Sequence, residues 1–219
     1  MNERPTRTRR WLRSPTVWLV ALLAVAGIGT WLLAGEDEPD AQAGAATAIV
    51  EAAPVETATV RVDGAPLPAF TAPTDATGVA APKLSGVDFR STPVDLTTGN
   101  TARVYGFFAH WCPHCQAELP SLTEWAGATE LPDDVEVVAV STAVEPSADN
   151  WPPSAWFERE GWTGTVLIDS PEGTAASAFG LTAFPFWVVT DADGDVLLRT
   201  TGVLDHSQLD QLVSLASGS

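Results

Sequence analysis

The sequence predicts one mixed α/β domain, a central sheet flanked by helices, in the C-terminal part of a 219-residue chain. Three observations predict it. From about Lys83 onward, strand-like and helix-like segments alternate. Two of the strand-like runs are almost entirely apolar, as strands buried on both faces are. Residues 35–82 show no sustained apolar period, so they do not supply core.

The N-terminal elements read first. Residues 1–14 form a basic arm with Arg4, Arg7, Arg9, Arg10 and Arg13. Residues 15–34 are uncharged, and their apolar stretch of about 19–20 residues would span roughly 30 Å as a helix, the thickness of a hydrocarbon core. Glu36, Asp37, Glu38 and Asp40 follow it. Arginines before the span and acids after it predict a single-pass anchor with a cytoplasmic N-terminus and an extracytoplasmic remainder. A cleaved signal peptide competes with this reading, but its apolar core is normally shorter and ends in a small-x-small site. Here the run closes on Trp31-Leu32-Leu33-Ala34, which favours the uncleaved anchor. Residues 35–82, rich in Ala, Thr, Pro and acids, read as a flexible tether, and residues 83–219 as the folded domain.

Within that domain, Val87–Arg90 and Val94–Leu96 are short strand candidates around a Ser-Thr-Pro turn. Arg103–Ala109 is a β-rich central strand. Gln116–Ala126 follows as a helix, with Leu119, Leu122 and Ala126 at helical spacing. Val135–Val140 and Thr165–Ile168 are further strands, separated by a short helix at Ser154–Glu160. Thr174–Phe179 is a short helix closed by Gly180. Phe186–Thr190 and Val196–Thr200 form a hairpin around Asp191-Ala192-Asp193-Gly194. Ser207 is expected to cap a final helix that presents Leu209, Leu212 and Leu215 on one face.

Formal charge is −17, and beyond the basic arm six basic residues face 27 acidic ones. Such an acidic exported part argues against nucleic acid and against docking on anionic lipid. The membrane is reached only through the chain's own anchor.

The two cysteines of the chain stand in Trp111-Cys112-Pro113-His114-Cys115. This pair can close a small disulfide, exchange it with a partner, or hold half of a metal site. No further cysteine completes a zinc centre, so no metal and no cofactor is expected. The motif falls where a strand gives way to a helix. That places Cys112 at a helix N-terminus, where free N–H groups and the helix dipole favour a thiolate. Cys112 is then the attacking sulfur and Cys115, one turn on, the resolving one. Export puts the pair where disulfides form.

Phe108-Ala109-His110-Trp111-Cys112-Pro113-His114-Cys115, followed by Pro120, resembles the thioredoxin-fold thiol–disulfide oxidoreductases from Lys83 to the C-terminus. The resemblance implies a cis-proline facing the cysteines, and Phe184-Pro185 stands in the matching place as a substrate-binding edge. Glu118, in Cys115-Gln116-Ala117-Glu118-Leu119-Pro120, is similar to the C-x-x-E-x-P extension of membrane-anchored TlpA/ResA-like proteins. On a helix it shares the face of Cys115, where it can move a proton to or from the resolving sulfur. Position 106, where thioredoxins usually carry a buried aspartate, is glycine. The dipeptide Pro113-His114 is similar to that of the oxidant DsbA. With Trp111 it is expected to tune the pair, and a histidine that stabilises the thiolate raises the potential.

The expected activity is therefore exchange of the Cys112–Cys115 disulfide with exported protein thiols, in the oxidising direction, with a membrane-bound partner reoxidising the pair. Reduction of specific exported disulfides, for example those of apocytochrome c, is the alternative, and a non-catalytic peptide-binding module a further one. His110 is expected at the surface as a strand-end residue. Trp151, Trp156 and Trp162 are expected in the core, with one of them able to border a substrate groove. Asp191-Ala192-Asp193-Gly194-Asp195 has a calcium-like composition, but its glycine is misplaced for an EF-hand and a hairpin turn accounts for it.

Overall fold

The computed structural model describes residues 52–97 and 100–218. The basic arm and the predicted anchor lie outside the described residues; among those described, no helix is long and apolar enough to cross a membrane. A five-stranded sheet forms the middle of the fold. Its strands are β4 (Ala102–Phe108), β5 (Val135–Ser141), β6 (Thr165–Ile168), β7 (Phe186–Thr190) and β8 (Val196–Thr201). They lie in the order β6-β5-β4-β7-β8. β4, β5 and β6 run parallel, while β7 and β8 are antiparallel additions, which makes the sheet mixed. Every residue of β4 is buried, because helices and loops cover both of its faces.

The period of two sorts the side chains onto those faces. Val104, Phe108, Val137, Ala139, Trp187 and Val189 point to one core. There they meet α1 (Pro113–Ala128), α2 (Pro153–Arg159) and α4 (His206–Ser217). Tyr105, Phe107, Val138, Val140, Phe186 and Val188 point to the other, shared with α3 (Thr174–Ala178).

The expectation of a tether over 35–82 is corrected for its second half. Val60, Leu67 and Ala76 are buried. β1 (Arg61–Asp63) pairs antiparallel with β2 (Lys83–Val87), which pairs with β3 (Pro93–Asp95). Leu67 and Phe70 donate backbone N–H groups to Ala178 and Gly180. The fully buried Arg199 donates to the carbonyls of Pro68 at 2.8 Å and Phe179 at 3.1 Å and pairs with Asp75. Gly180 has φ +73°, and a Cβ there would come within 2.1 Å of the Pro68 carbonyl oxygen, so the segment passes directly over a glycine. The segment has no period because it packs through isolated residues and backbone bonds, not through a face of its own.

Other boundaries move less. β2 begins at Lys83 instead of Val87, since the turn is made by Asp88, whose carboxylate accepts from the backbone of Arg90 and Thr92. Asp205, not Ser207, is the N-cap of α4, in a reciprocal capping box with Gln208. Leu215 is 40% exposed, and Val213 and Ala216 take the buried face beside Leu209 and Leu212.

Candidate active site

Fully buried β4 ends at Phe108, and the chain turns immediately into α1, with Cys112 as N-cap in an extended conformation. Pro113 and His114 are exposed at the first turn. Pro at this position lacks only an N–H that would be unpaired in any case. Both cysteines are free thiols. Cys112 is 7% exposed and Cys115 is completely enclosed, so only the first sulfur can meet a second molecule. The Cys112 thiol points at the carbonyl oxygen of Phe184, 4.0 Å away. The Phe184–Pro185 peptide is cis and leads into β7.

Trp111 sits over this junction. Its indole N–H donates to Ala143 at 2.7 Å, and its ring meets Phe184 edge-on at 5.9 Å. At 38% exposure it is also part of the surface around Cys112. The structure thus brings together Trp111, Cys112, Cys115, Phe184 and Pro185, as the sequence predicts, with His114 at the solvent side.

Glu118 lies one turn beyond Cys115, fully buried. Its Oε2 accepts the backbone N–H of Leu204 at 2.8 Å, while Oε1 has no hydrogen-bond partner. Burial pushes its carboxyl up to about 7, against the Leu204 hydrogen bond, which acts downward. Burial also pushes the Cys115 thiol up, helped by the nearby Cys112 and Glu118. A buried thiol that resists ionisation therefore stands beside a buried acid able to gain or lose a proton near neutral pH. At Gly106 a Cβ would lie within 2.8 Å of the rings of Phe108 and Trp187. Aromatic packing fills the space that an aspartate at this position would need.

His110 departs from expectation. It is 1% exposed, because the loop of residues 142–152 between β5 and α2 folds over it. Its Nδ1 lies 2.7 Å from the Asp149 carbonyl oxygen, and its Nε2 accepts the Glu145 N–H at 3.1 Å. The His110 carbonyl accepts from Gln116 at 3.0 Å and Asn150 at 3.2 Å. A histidine directly after a buried strand was the available signal. Its partners in the loop are 35–40 residues away and carry no local pattern.

The three tryptophans between β5 and β6 separate. Trp156 is buried, Trp162 is half-buried, and Trp151 is 43% exposed with its ring 6.2 Å from that of His110. Trp162, with Phe89 and Phe157, lines a cavity of about 1140 Å³ that none of the motif residues borders. In the β7–β8 turn, the Asp191 carboxylate accepts from the backbone of Asp193 and Asp195, consistent with a hairpin turn.

Residues 63–213 match the family described as Redoxin. The chain belongs to the Redoxin family. Among this Redoxin's relatives is a thiol:disulfide interchange protein DsbE homolog of Paracoccus denitrificans. It is 31% identical over 102 residues, which are 47% of this chain and 51% of the relative. The chain thus spans about half the length of that curated relative. A thioredoxin-family thiol:disulfide interchange protein of Chlorobium tepidum TLS superposes with a TM-score of 0.53 at 25% identity, covering 65% of this Redoxin and 98% of that chain. StoA of Bacillus subtilis superposes at 0.52 with 19% identity, covering 62% and 98%. The fold is thioredoxin-like.

Proposed function

We propose that this Redoxin is a thiol–disulfide oxidoreductase acting outside the cytoplasm on exported protein thiols, with Cys112 as the exchanging sulfur and Cys115 as its resolving partner. The observation that carries the proposal is the asymmetry of the pair: Cys112 reaches the surface at a helix N-cap opposite Phe184, while Cys115 is enclosed beside Glu118. The chain is held to the membrane by residues 15–34, and a membrane-bound partner restores the redox state of the pair. Its TlpA/ResA-like character rests on Glu118 and on the additional strand and helix that stand between β5 and Pro185.

In the oxidising direction, which the DsbA-like Pro113-His114 favours, a substrate thiolate attacks Cys112 Sγ. The Cys112–Cys115 bond breaks, Cys115 leaves with the electron pair, and protonated Glu118 delivers a proton to it. A second substrate thiolate then attacks the substrate sulfur of the mixed disulfide and releases Cys112. Two electrons pass from substrate to the pair. The reducing direction runs the same steps backwards. Cys112 attacks a substrate disulfide, Glu118 takes the Cys115 proton, and Cys115 displaces the reduced substrate. The high cost of ionising Cys115 beside a buried base favours this second reading. Specific exported disulfides such as those of apocytochrome c are its substrates.

Cys115→Ser is expected to accumulate mixed disulfides on Cys112 with exported proteins. Capture of nothing, together with no exchange by the unaltered chain, would favour a peptide-binding module instead. Equilibration with glutathione fixes direction: a potential near the DsbA end of the scale supports oxidation, and one near thioredoxin supports reduction.

A further inference from the structure

We infer that His110 is a positioning residue that makes the site selective for polypeptide thiols over small ones, by holding the 142–152 loop as one wall of the exchange site. The inference rests on the exchange reading above.

The Asp149 carbonyl can only accept and the Glu145 N–H can only donate, so the ring carries its proton on Nδ1 and presents a lone pair at Nε2. One neutral side chain therefore clasps the loop at two points four residues apart. The His110 backbone adds a third point through the Asn150 side chain. Adjacent Trp111 adds a fourth, its indole N–H on the Ala143 carbonyl. The loop is thus fastened to the two residues that immediately precede Cys112.

That fastening defines a wall. The Trp111 ring lies between the loop, at Ala143, and Phe184, whose carbonyl faces Cys112 Sγ. The loop and the Phe184–Pro185 edge consequently hold the Trp111 ring from two sides, next to the residue that carries the sulfur. Trp151, in the same loop and edge-on to His110, offers an exposed aromatic face to whatever approaches. A small thiol needs only Cys112 Sγ. A polypeptide thiol also lays its flanking residues on the walls, so it alone gains from a loop already held in place.

The test uses the full chain in its disulfide form, reacted in single turnover with dithiothreitol and with an unstructured synthetic peptide carrying one cysteine pair. His110→Phe keeps a ring and removes both side-chain hydrogen bonds. It is expected to slow the peptide reaction about tenfold, the equivalent of roughly 1.4 kcal/mol, and to leave the dithiothreitol rate within about twofold. Hydrogen exchange at the Glu145 amide should accelerate in the same variant. His110→Asn, which retains a donor towards Asp149, is expected to recover part of the peptide rate, and it decides the matter if His110→Phe does not fold. An unchanged peptide-to-dithiothreitol ratio in the variant that folds overturns the inference while leaving the exchange reading intact. So does a fall of both rates together, which would assign His110 to Cys112 reactivity or to the fold. An unaltered chain that reacts with neither thiol overturns the exchange reading and the inference with it.

Discussion

Asp169 and Glu118 are both fully buried carboxylates in one small domain, and they are treated in opposite ways. Asp169, just past β6, accepts four hydrogen bonds. Thr142 Oγ1 and the Ser170 and Ala175 N–H groups donate at 2.8 Å, and the Ala176 N–H at 3.1 Å. Glu118 accepts one, from Leu204, and leaves Oε1 without a partner. A saturated buried carboxylate is a structural device, tying the ends of β5 and β6 to α3. An unsaturated one keeps capacity for a proton. Burial alone therefore does not mark a functional acid; the missing donors do.

Isosteric neutralisation should separate the two sites. Asp169→Asn turns an amide NH2 donor towards fixed donors, and a loss of about 3 kcal/mol in urea denaturation is expected. A loss below about 1 kcal/mol would place Asp169 with Glu118 and remove the contrast. Glu118→Gln should instead leave stability at neutral pH within about 1 kcal/mol, because the carboxylate it replaces is barely partnered. Its cost should fall on exchange, with the resolving step slowed about a hundredfold. Wild-type rates in that variant would deny Glu118 any part in moving the Cys115 proton.

The pH dependence of stability sharpens the same point. Glu118 has its folded-state carboxyl raised to about 7 from the usual 4.5, so the folded state holds the extra proton in that window. The stability this contributes is complete below the unfolded value and is lost as pH rises through the folded one. Between pH 5 and pH 7 the chain should lose about 2 kcal/mol from this group alone, and Glu118→Gln should abolish that component. Identical slopes for the two proteins would refute it. A smaller cost than that of Asp169→Asn is expected at Gly106, in the apolar cluster around the cysteines. Gly106→Ala pushes a methyl against Phe108 and Trp187 and should cost about 1–2 kcal/mol by thermal unfolding. A neutral result would show that the rings can yield.

Much of the fold was legible because it is written in short periods. The alternation in β4, β5 and β7 assigns residues to the two cores one by one, and Thr165–Ile168 and Phe186–Thr190 coincide with observed strands. The segment from Val60 to Ala76 was not legible. It has no face of its own and is held by Arg199, more than 120 residues on, through Pro68 and Asp75. Within the site, the cysteine pair, Trp111 and Phe184-Pro185 could be placed from motif and resemblance. The burial of His110 could not, since the loop that covers it closes from 35 residues away.

The amino-acid sequence alone sets the chemistry that is available. It holds two thiols three positions apart at a strand-to-helix junction, an acid one turn later and a proline ahead of a strand. These are properties of neighbouring residues, and neighbours share a local pattern. The tertiary structure decided which of these groups are enclosed and which are satisfied. Glu118 finds its one donor in Leu204, 86 residues away, and lacks a second. Hydrogen-bond partnership and burial are set by surfaces that meet only when the chain is folded, so no local reading shows that Glu118 is enclosed and short of donors.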